Sequence, residues 1–165
     1  MLKYPITNAY LVSLYLRDKY HNDTDTNIKS DEKKLTNLKI QKILYYAQGW
    51  YLKDNEQPLF GDKIEAWRYG PVVPYVYQLY KNSENKELPS LTIKEKDQLQ
   101  KLPNSIPEYL DKIWASYNLT NTRDLVISTH LEDPWLDSYA RPDKTITQDS
   151  ILRFFANYER DAQSY

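Results

Sequence analysis

The chain has 165 residues and a formal net charge of −1. That length suits one domain, and a near-neutral charge argues against the basic surface of a nucleic-acid-binding protein. The sequence has no cysteine, which excludes a disulfide framework, a thiolate nucleophile and a cysteine-ligated metal site. Mean hydropathy is −0.78 and 16 of the residues are tyrosine, so tyrosine rings must supply part of the core.

The first part of the chain predicts a helix followed by a polar loop. Apolar residues recur at helical spacing over residues 8–20, and Thr7 or Asn8 can cap the start of this helix. Residues 21–34 are almost wholly polar and charged, which is typical of a loop. The chain start has no charged segment leading into an apolar one, and no apolar run is long enough to span a bilayer. We therefore expect a cytoplasmic protein.

The second predicted helix, about residues 37–52, is apolar on nearly all sides. Such a helix is normally buried among neighbours, so we expect it to be the central helix of the domain. Lys39, Lys42 and Tyr46 form its predicted outward-facing strip. Gly49 lies in mid-helix, where it costs about 1 kcal/mol relative to alanine. A close approach of another element at Gly49 would explain it.

A change of periodicity after this helix predicts a β-hairpin. Residues 64–69 alternate between apolar and polar side chains and include two aromatic rings, which is typical of a short strand. Gly70 and Pro71 end the strand, and Pro74 suits the first turn of another helix.

The remainder of the chain is predicted to be helical. Thr92–Glu95 and Ser105–Glu108 both fit a capping box, in which side chains at the helix start satisfy free backbone N–H groups. A shorter helix is expected at about 122–130, and another is expected to open at Thr145. The predicted fold is therefore mainly α, a compact domain of about six helices with a small antiparallel β-hairpin element.

Nothing in the sequence indicates an enzyme. His21 lies in the polar segment, while His130 has Glu132 and Asp133 nearby, an arrangement that a metal or acid–base site would share. The spacing matches no zinc-protease motif, and neither a nucleophile elbow nor a phosphate-binding glycine loop is present. The alternative is structural: His130 ends a helix near its last carbonyl groups, and Trp135 anchors the following loop. We predict no catalytic residue, no cofactor and no metal.

The abundance of aromatic residues favours a binding protein. Tyrosine and tryptophan supply large, rigid contact areas and are enriched at binding hot spots, although any single ring can equally be core filler. A protruding hairpin and the helix after it form the best candidate surface. Its predicted partner-binding residues are Trp67, Arg68, Tyr69, Tyr75 and Leu79.

Two long motifs resemble one known family. They are the central-helix motif, residues 38–52, and the hairpin motif, residues 64–74; shorter likenesses follow at 129–130 and 134–135. In these motifs the sequence is similar to the Panacea (SocA-like) antitoxin domain. The motif residues expected to have structural roles are Gly49, Trp50, Gly70, Pro71, His130 and Trp135.

The resemblance implies a mainly helical fold with a hairpin and a non-enzymatic function. Members occur in bacteria and phages, prophages included, and act as antitoxins that bind a toxin protein encoded by an adjacent gene. The SocA-type member delivers its toxin to a ClpXP-type protease. We therefore expect a single antitoxin domain, 1–165, with a polar loop at about 21–35 and the motif-bearing core at 36–160. The alternative is a proteolytic adaptor or a phage–host interaction module without a toxin partner.

Overall fold

The computed structural model describes residues 3–83 and 85–158. This part of the chain forms eight α-helices and a small antiparallel sheet of three strands, which confirms the predicted mainly helical class. The helices are α1 (Ala9–Asn22), α2 (Asn37–Asn55), α3 (Pro74–Tyr80), α4 (Ile93–Leu99), α5 (Pro107–Tyr117), α6 (Thr122–His130), α7 (Asp133–Tyr139) and α8 (Gln148–Ala156). The strands are β1 (Ile64–Trp67), β2 (Gly70–Val72) and β3 (Thr145–Ile146).

Helix α1 begins as the sequence predicts. The side chain of Asn8 accepts a hydrogen bond from the backbone N–H of Leu11 and so caps the helix. The polar segment after α1 contains a short 3₁₀ helix, Thr26–Lys29, whose Ile28 is fully buried. The side chain of Ile28 therefore anchors this mostly polar segment to the core.

Helix α2 is the centre of the fold, as predicted. Thr36 caps its start, and every residue from Lys39 to Leu52 is buried. It packs against α1, α3, α5, α6 and α8. The first and the last helix of the fold therefore both lie directly on α2. None of the described helices is long and apolar enough to cross a bilayer.

The predicted outward-facing strip of α2 is wrong, because Lys39, Lys42 and Tyr46 are all buried. Their polar ends have partners: Lys39 donates to two loop carbonyl oxygens, Lys42 Nζ donates to the carbonyl oxygen of Pro71 (2.9 Å), and the Tyr46 hydroxyl donates to Glu132 (2.8 Å). A polar group is tolerated in a core when it is hydrogen-bonded in this way.

The hairpin prediction is confirmed, and the structure adds a third strand. Strands β1 and β2 pair antiparallel with Trp67 opposite Gly70, and β3 pairs with the other edge of β1, with Ile146 opposite Ile64. Residues 145–146 were expected to open the last helix. That helix instead begins at Gln148, capped by Thr147.

Two further predictions about helix ends have opposite outcomes. The capping box at Thr92 is present, with both of its hydrogen bonds. The predicted box at Ser105 is wrong: α5 begins at Pro107, and its N-cap Ile106 makes no side-chain bond. A proline at the first helical position has no N–H group to satisfy, so the helix can start there without a polar cap.

The segment after His130, expected to be a loop, forms α7.

Gly49 allows α2 and α8 to approach closely, as its position in mid-helix predicts. A Cβ atom at Gly49 would lie only 2.2 Å from Cε2 of Phe155. Phe155 is fully buried and packs edge-to-face against the rings of Tyr45 and Trp50, so it has no room to withdraw.

Replacing Gly49 by alanine should therefore destabilise the protein despite the better helix propensity of alanine. Propensity contributes about 1 kcal/mol in favour of alanine, whereas overpacking of a core costs about 1–3 kcal/mol. We expect the free energy of unfolding, measured by urea denaturation, to fall by up to about 2 kcal/mol.

The control is the same change made in a variant whose residue 155 has no ring. In a Phe155→Ala background, Gly49→Ala should be neutral or stabilising, because all the clashing side-chain atoms beyond Cβ are gone. A rise in stability on Gly49→Ala in the otherwise unchanged protein would contradict this account of the helix contact.

Candidate functional site

The hairpin turn is held flat against α2 and α6. Gly70 has a φ of +109°, a backbone conformation that L side chains rarely adopt. A Cβ atom at Gly70 would lie 2.6 Å from Cε of Lys42 and 2.6 Å from Oγ1 of Thr129. The inner side of the turn is thus closely packed, and the turn residues Arg68 and Tyr69 face solvent.

Trp67, the last residue of β1, is fixed on several sides. Its indole N–H donates to the carboxylate of Glu65 (2.7 Å), and its ring meets that of Tyr77 edge-to-face with centroids 5.0 Å apart. Its carbonyl oxygen accepts a hydrogen bond from the indole of Trp135 (2.8 Å). These contacts connect β1 to both α3 and α7, so the hairpin presents a preformed surface.

A small, mainly apolar cavity of about 120 Å³ opens between the hairpin, the first turn of α2 and α3. We call it the hairpin pocket. Its lining residues are Leu38, Gln41, Trp67, Arg68, Tyr69, Val72 and Tyr77.

The structure divides the predicted partner-binding residues between two surfaces. Trp67, Arg68 and Tyr69 all line the hairpin pocket. Tyr75 and Leu79 do not line the pocket. They lie one turn apart on another side of α3, and the exposed fraction is 60% for Tyr75 and 46% for Leu79. We call these two residues the α3 ridge.

Leu38 and Tyr77 line the pocket but were not predicted as binding residues. Leu38 is half-buried, whereas residues 39–52 of the same helix are buried. Tyr77 of α3 is also half-buried. A sequence pattern could not place them together, because the pocket forms only when three separate elements meet.

Exposed apolar side chains also lie outside these two surfaces. Four of them belong to α6, α7 and the link between these helices: Ile127, Leu131, Leu136 and Tyr139.

His130 lies in an aromatic stack at the junction of α6 and α7. Its ring centroid is 4.2 Å from that of Trp135, which in turn stacks on Tyr139 at 4.6 Å. Its buried Nε2 atom has no hydrogen-bond partner in the described part of the chain. In residues 3–83 and 85–158, no three metal-ligating side chains form a group that could hold an ion.

Glu132 is a buried carboxylate that joins α2 to the start of α7. It accepts hydrogen bonds from the hydroxyls of Tyr45 (2.9 Å) and Tyr46 (2.8 Å). Burial raises the pKa of Glu132 to about 7, because loss of hydration opposes the charged form more than these two bonds favour it. Burial and the neighbouring carboxylate raise the pKa of both tyrosines as well.

Lys42 is the corresponding buried cation beneath the hairpin. Its ammonium group donates to the carbonyl oxygen of Pro71 (2.9 Å), the residue after Gly70. Burial lowers the pKa of Lys42 to about 7, since the charged form loses its hydration. The structure thus holds the hairpin to α2 through a side chain whose charge is sensitive to pH.

With this geometry established, comparison with known proteins identifies the family. Residues 40–136 match the family described as "Antitoxin SocA-like, Panacea domain". The chain therefore belongs to this family of Panacea-domain proteins.

One relative carries a specific name. "Antitoxin SocA" of Caulobacter vibrioides (strain NA1000 / CB15N) is 32% identical over 110 residues, which cover 61% of this chain and 58% of the relative. The match thus spans less than two thirds of the relative's length. No solved structure matches the chain. The matched range contains most of α2, the hairpin, α3 and the contact of His130 with Trp135.

The two buried charges predict a minimum of stability near neutral pH. The raised pKa of Glu132 makes the folded state hold a proton that the unfolded state loses, so stability falls as pH rises from about 4.5 to about 7. The lowered pKa of Lys42 has the opposite effect, and stability rises from about pH 7 to about 10.5. Urea denaturation across this pH range measures both effects.

Matched variants separate the two contributions. Glu132→Gln should remove most of the fall on the acid side and leave the alkaline limb in place. Lys42→Met should reduce the rise on the alkaline side and leave the part that Lys39 supplies, since burial lowers the pKa of Lys39 to about 8. A pH profile that is equally steep in the variants and the parent protein would show that these groups titrate normally.

Proposed function

We propose that this protein is an antitoxin that neutralises a protein toxin by binding it directly, with the hairpin pocket as the centre of the contact surface. The toxin is the product of an adjacent gene. The observation that carries the proposal is the pocket itself, with the half-buried, fixed ring of Trp67 and the exposed side chains of Arg68 and Tyr69 around it. Membership of the antitoxin family and the name of the Caulobacter relative support it.

The chemistry of this surface suits protein binding. Tryptophan, tyrosine and arginine are the residues most enriched at binding hot spots. Tyr69 is 55% exposed, so it has area to bury, and Trp67 is already fixed by its neighbours. Little side-chain freedom is then lost when a partner binds.

The pocket alone is smaller than a stable interface, which buries about 800 Å² on each partner. Neighbouring surface must contribute, and the α3 ridge supplies two exposed apolar side chains on the helix that follows the hairpin. We propose that the toxin covers the pocket and part of α3, and that inhibition is steric.

We further propose that the protein does this without catalysis. His130, the residue that most resembled a catalytic or metal-binding group in the sequence, stacks on Trp135. Trp135 in turn binds the end of β1 through its indole N–H. The role we assign to His130 is to position Trp135 behind the hairpin.

Co-expression with the adjacent gene tests the antitoxin function. The intact protein should protect cells from that gene's product and co-purify with it. Tyr69→Ala should weaken binding at least tenfold, about 1.4 kcal/mol, because it removes an exposed hot-spot ring. Binding is measured by titration calorimetry on the purified proteins.

Ile93→Ala is the matched control, since Ile93 is 89% exposed but lies on α4 outside the proposed surface. It should bind as the intact protein does. Failure of the intact protein to protect cells would refute the antitoxin function. Normal binding by both Tyr69→Ala and a Tyr75→Ala/Leu79→Ala variant would instead refute the surface.

A His130→Ala variant tests the absence of catalysis. We expect it to fold, with some loss of stability from the lost ring contact, and still to protect cells. A folded variant that binds the toxin normally but no longer protects would indicate that His130 takes part in a reaction.

A further inference from the structure

The hairpin pocket has the size of one apolar side chain. Its volume is about 120 Å³, close to the roughly 150 Å³ of an apolar protein cavity that accepts benzene. Leu38, Val72 and the ring of Tyr77 are among its apolar lining residues. A leucine, methionine or phenylalanine side chain from a partner would fit such a space.

A wider depression of about 520 Å³ adjoins the pocket. It shares Leu38, Tyr69 and Tyr77 with the pocket and continues to Lys81 and Asn85, just beyond α3. The two cavities therefore form one groove, which is mainly apolar at the pocket end and more polar at the other end. A peptide segment could place one side chain in the pocket and lay its neighbours along the depression.

The charges of this groove all have one sign in the part of the chain that the structure describes. Arg68 lines the pocket and Lys81 lines the depression, whereas neither cavity is lined by a carboxylate. Both cations are exposed, and no described carboxylate forms an ion pair with either. The guanidinium of Arg68 lies 5.4 Å from the ring centroid of Tyr69, which holds it at the rim.

Glu65 lies on the same face of β1 as Trp67 but does not neutralise this charge. Its carboxylate accepts the indole N–H of Trp67 and pairs with Lys63 at 3.3 Å. Arg68 and Lys81 are thus left available for charges on a partner.

From this arrangement we infer that the groove binds an acidic segment of the partner protein, in which one apolar side chain enters the hairpin pocket and flanking Asp or Glu carboxylates pair with Arg68 and Lys81. This inference rests on the proposed antitoxin function, whose toxin would supply the segment. Complementary charge of this kind steers association and selects the partner, and arginine binds carboxylates with two parallel hydrogen bonds.

Reversing the charges of the two groove cations, Arg68 and Lys81, tests the inference. The Kd for the adjacent gene's product is measured by titration calorimetry for the intact protein, for Arg68→Glu/Lys81→Glu and for Lys94→Glu/Lys101→Glu. The last pair is the matched control, because both lysines are exposed, lie outside the groove and give the same change in net charge. We expect the groove variant to bind at least tenfold more weakly and the control to bind within about twofold of the intact protein.

Salt dependence gives a second measurement. Binding by the intact protein should weaken between about 50 and 300 mM NaCl, because salt screens exposed charges, and Arg68→Gln/Lys81→Gln should lose most of that dependence. The apolar end is tested by Leu38→Asp, which places a carboxylate at the pocket wall and should also weaken binding at least tenfold. Urea denaturation establishes that each variant is folded.

The outcomes distinguish this inference from the proposed function. If the intact protein neither protects cells nor binds the neighbouring gene product, the proposed function is wrong, and no toxin supplies the acidic segment. If the intact protein binds and protects, while the groove variants keep its affinity and salt dependence, the acidic-segment inference is overturned and the antitoxin function stands. Restored binding of Arg68→Glu/Lys81→Glu by a toxin whose carboxylates are changed to lysine would establish the pairing directly.

Discussion

The fold depends on a central helix whose buried polar side chains bind the backbone of the loops around it. Gln48 of α2 accepts the N–H groups of Leu59 and Phe60 and donates to the carbonyl oxygen of Phe60. Gln41 accepts the N–H of Val73, and Lys42 binds the hairpin itself. Buried backbone groups outside regular structure need such partners, so α2 both fills the core and positions the segments that lead into and out of the hairpin.

This dependence explains which parts of the fold the sequence could predict. The buried central helix, the hairpin, the close approach at Gly49 and most helix starts follow from local periodicity and capping patterns. The burial of Lys39 and Lys42 does not, because a pattern of apolar and polar residues treats lysine as a surface residue. Their acceptors are main-chain carbonyl oxygens, from two loops for Lys39 and from strand β2 for Lys42. The strand β3 was missed for a related reason: its two residues pair with β1, about 80 positions earlier in the chain.

The candidate site was predictable in part. The sequence indicates the hairpin as a binding surface because Trp67, Arg68 and Tyr69 precede its turn glycine. The structure shows these three residues around one pocket. The other walls come from α2 and α3. Helical periodicity separates Tyr75 from Tyr77 on α3, but which of these rings meets the pocket depends on how that helix packs. Sequence periodicity gives the faces of a helix but does not show which neighbour each face meets. The same limit concealed the stack of His130 on Trp135, since these residues belong to different helices.

The central claim is that α2 holds the hairpin as a preformed surface at which the partner binds. Amide hydrogen exchange of the protein, free and in complex with the product of the adjacent gene, measures this most directly. The account predicts slow exchange in α2 and β1 before the partner is added, and further protection on binding at the hairpin turn, the first turn of α2 and α3. Rapid exchange throughout the hairpin of the free protein, or new protection confined to α6 and α7, would contradict it.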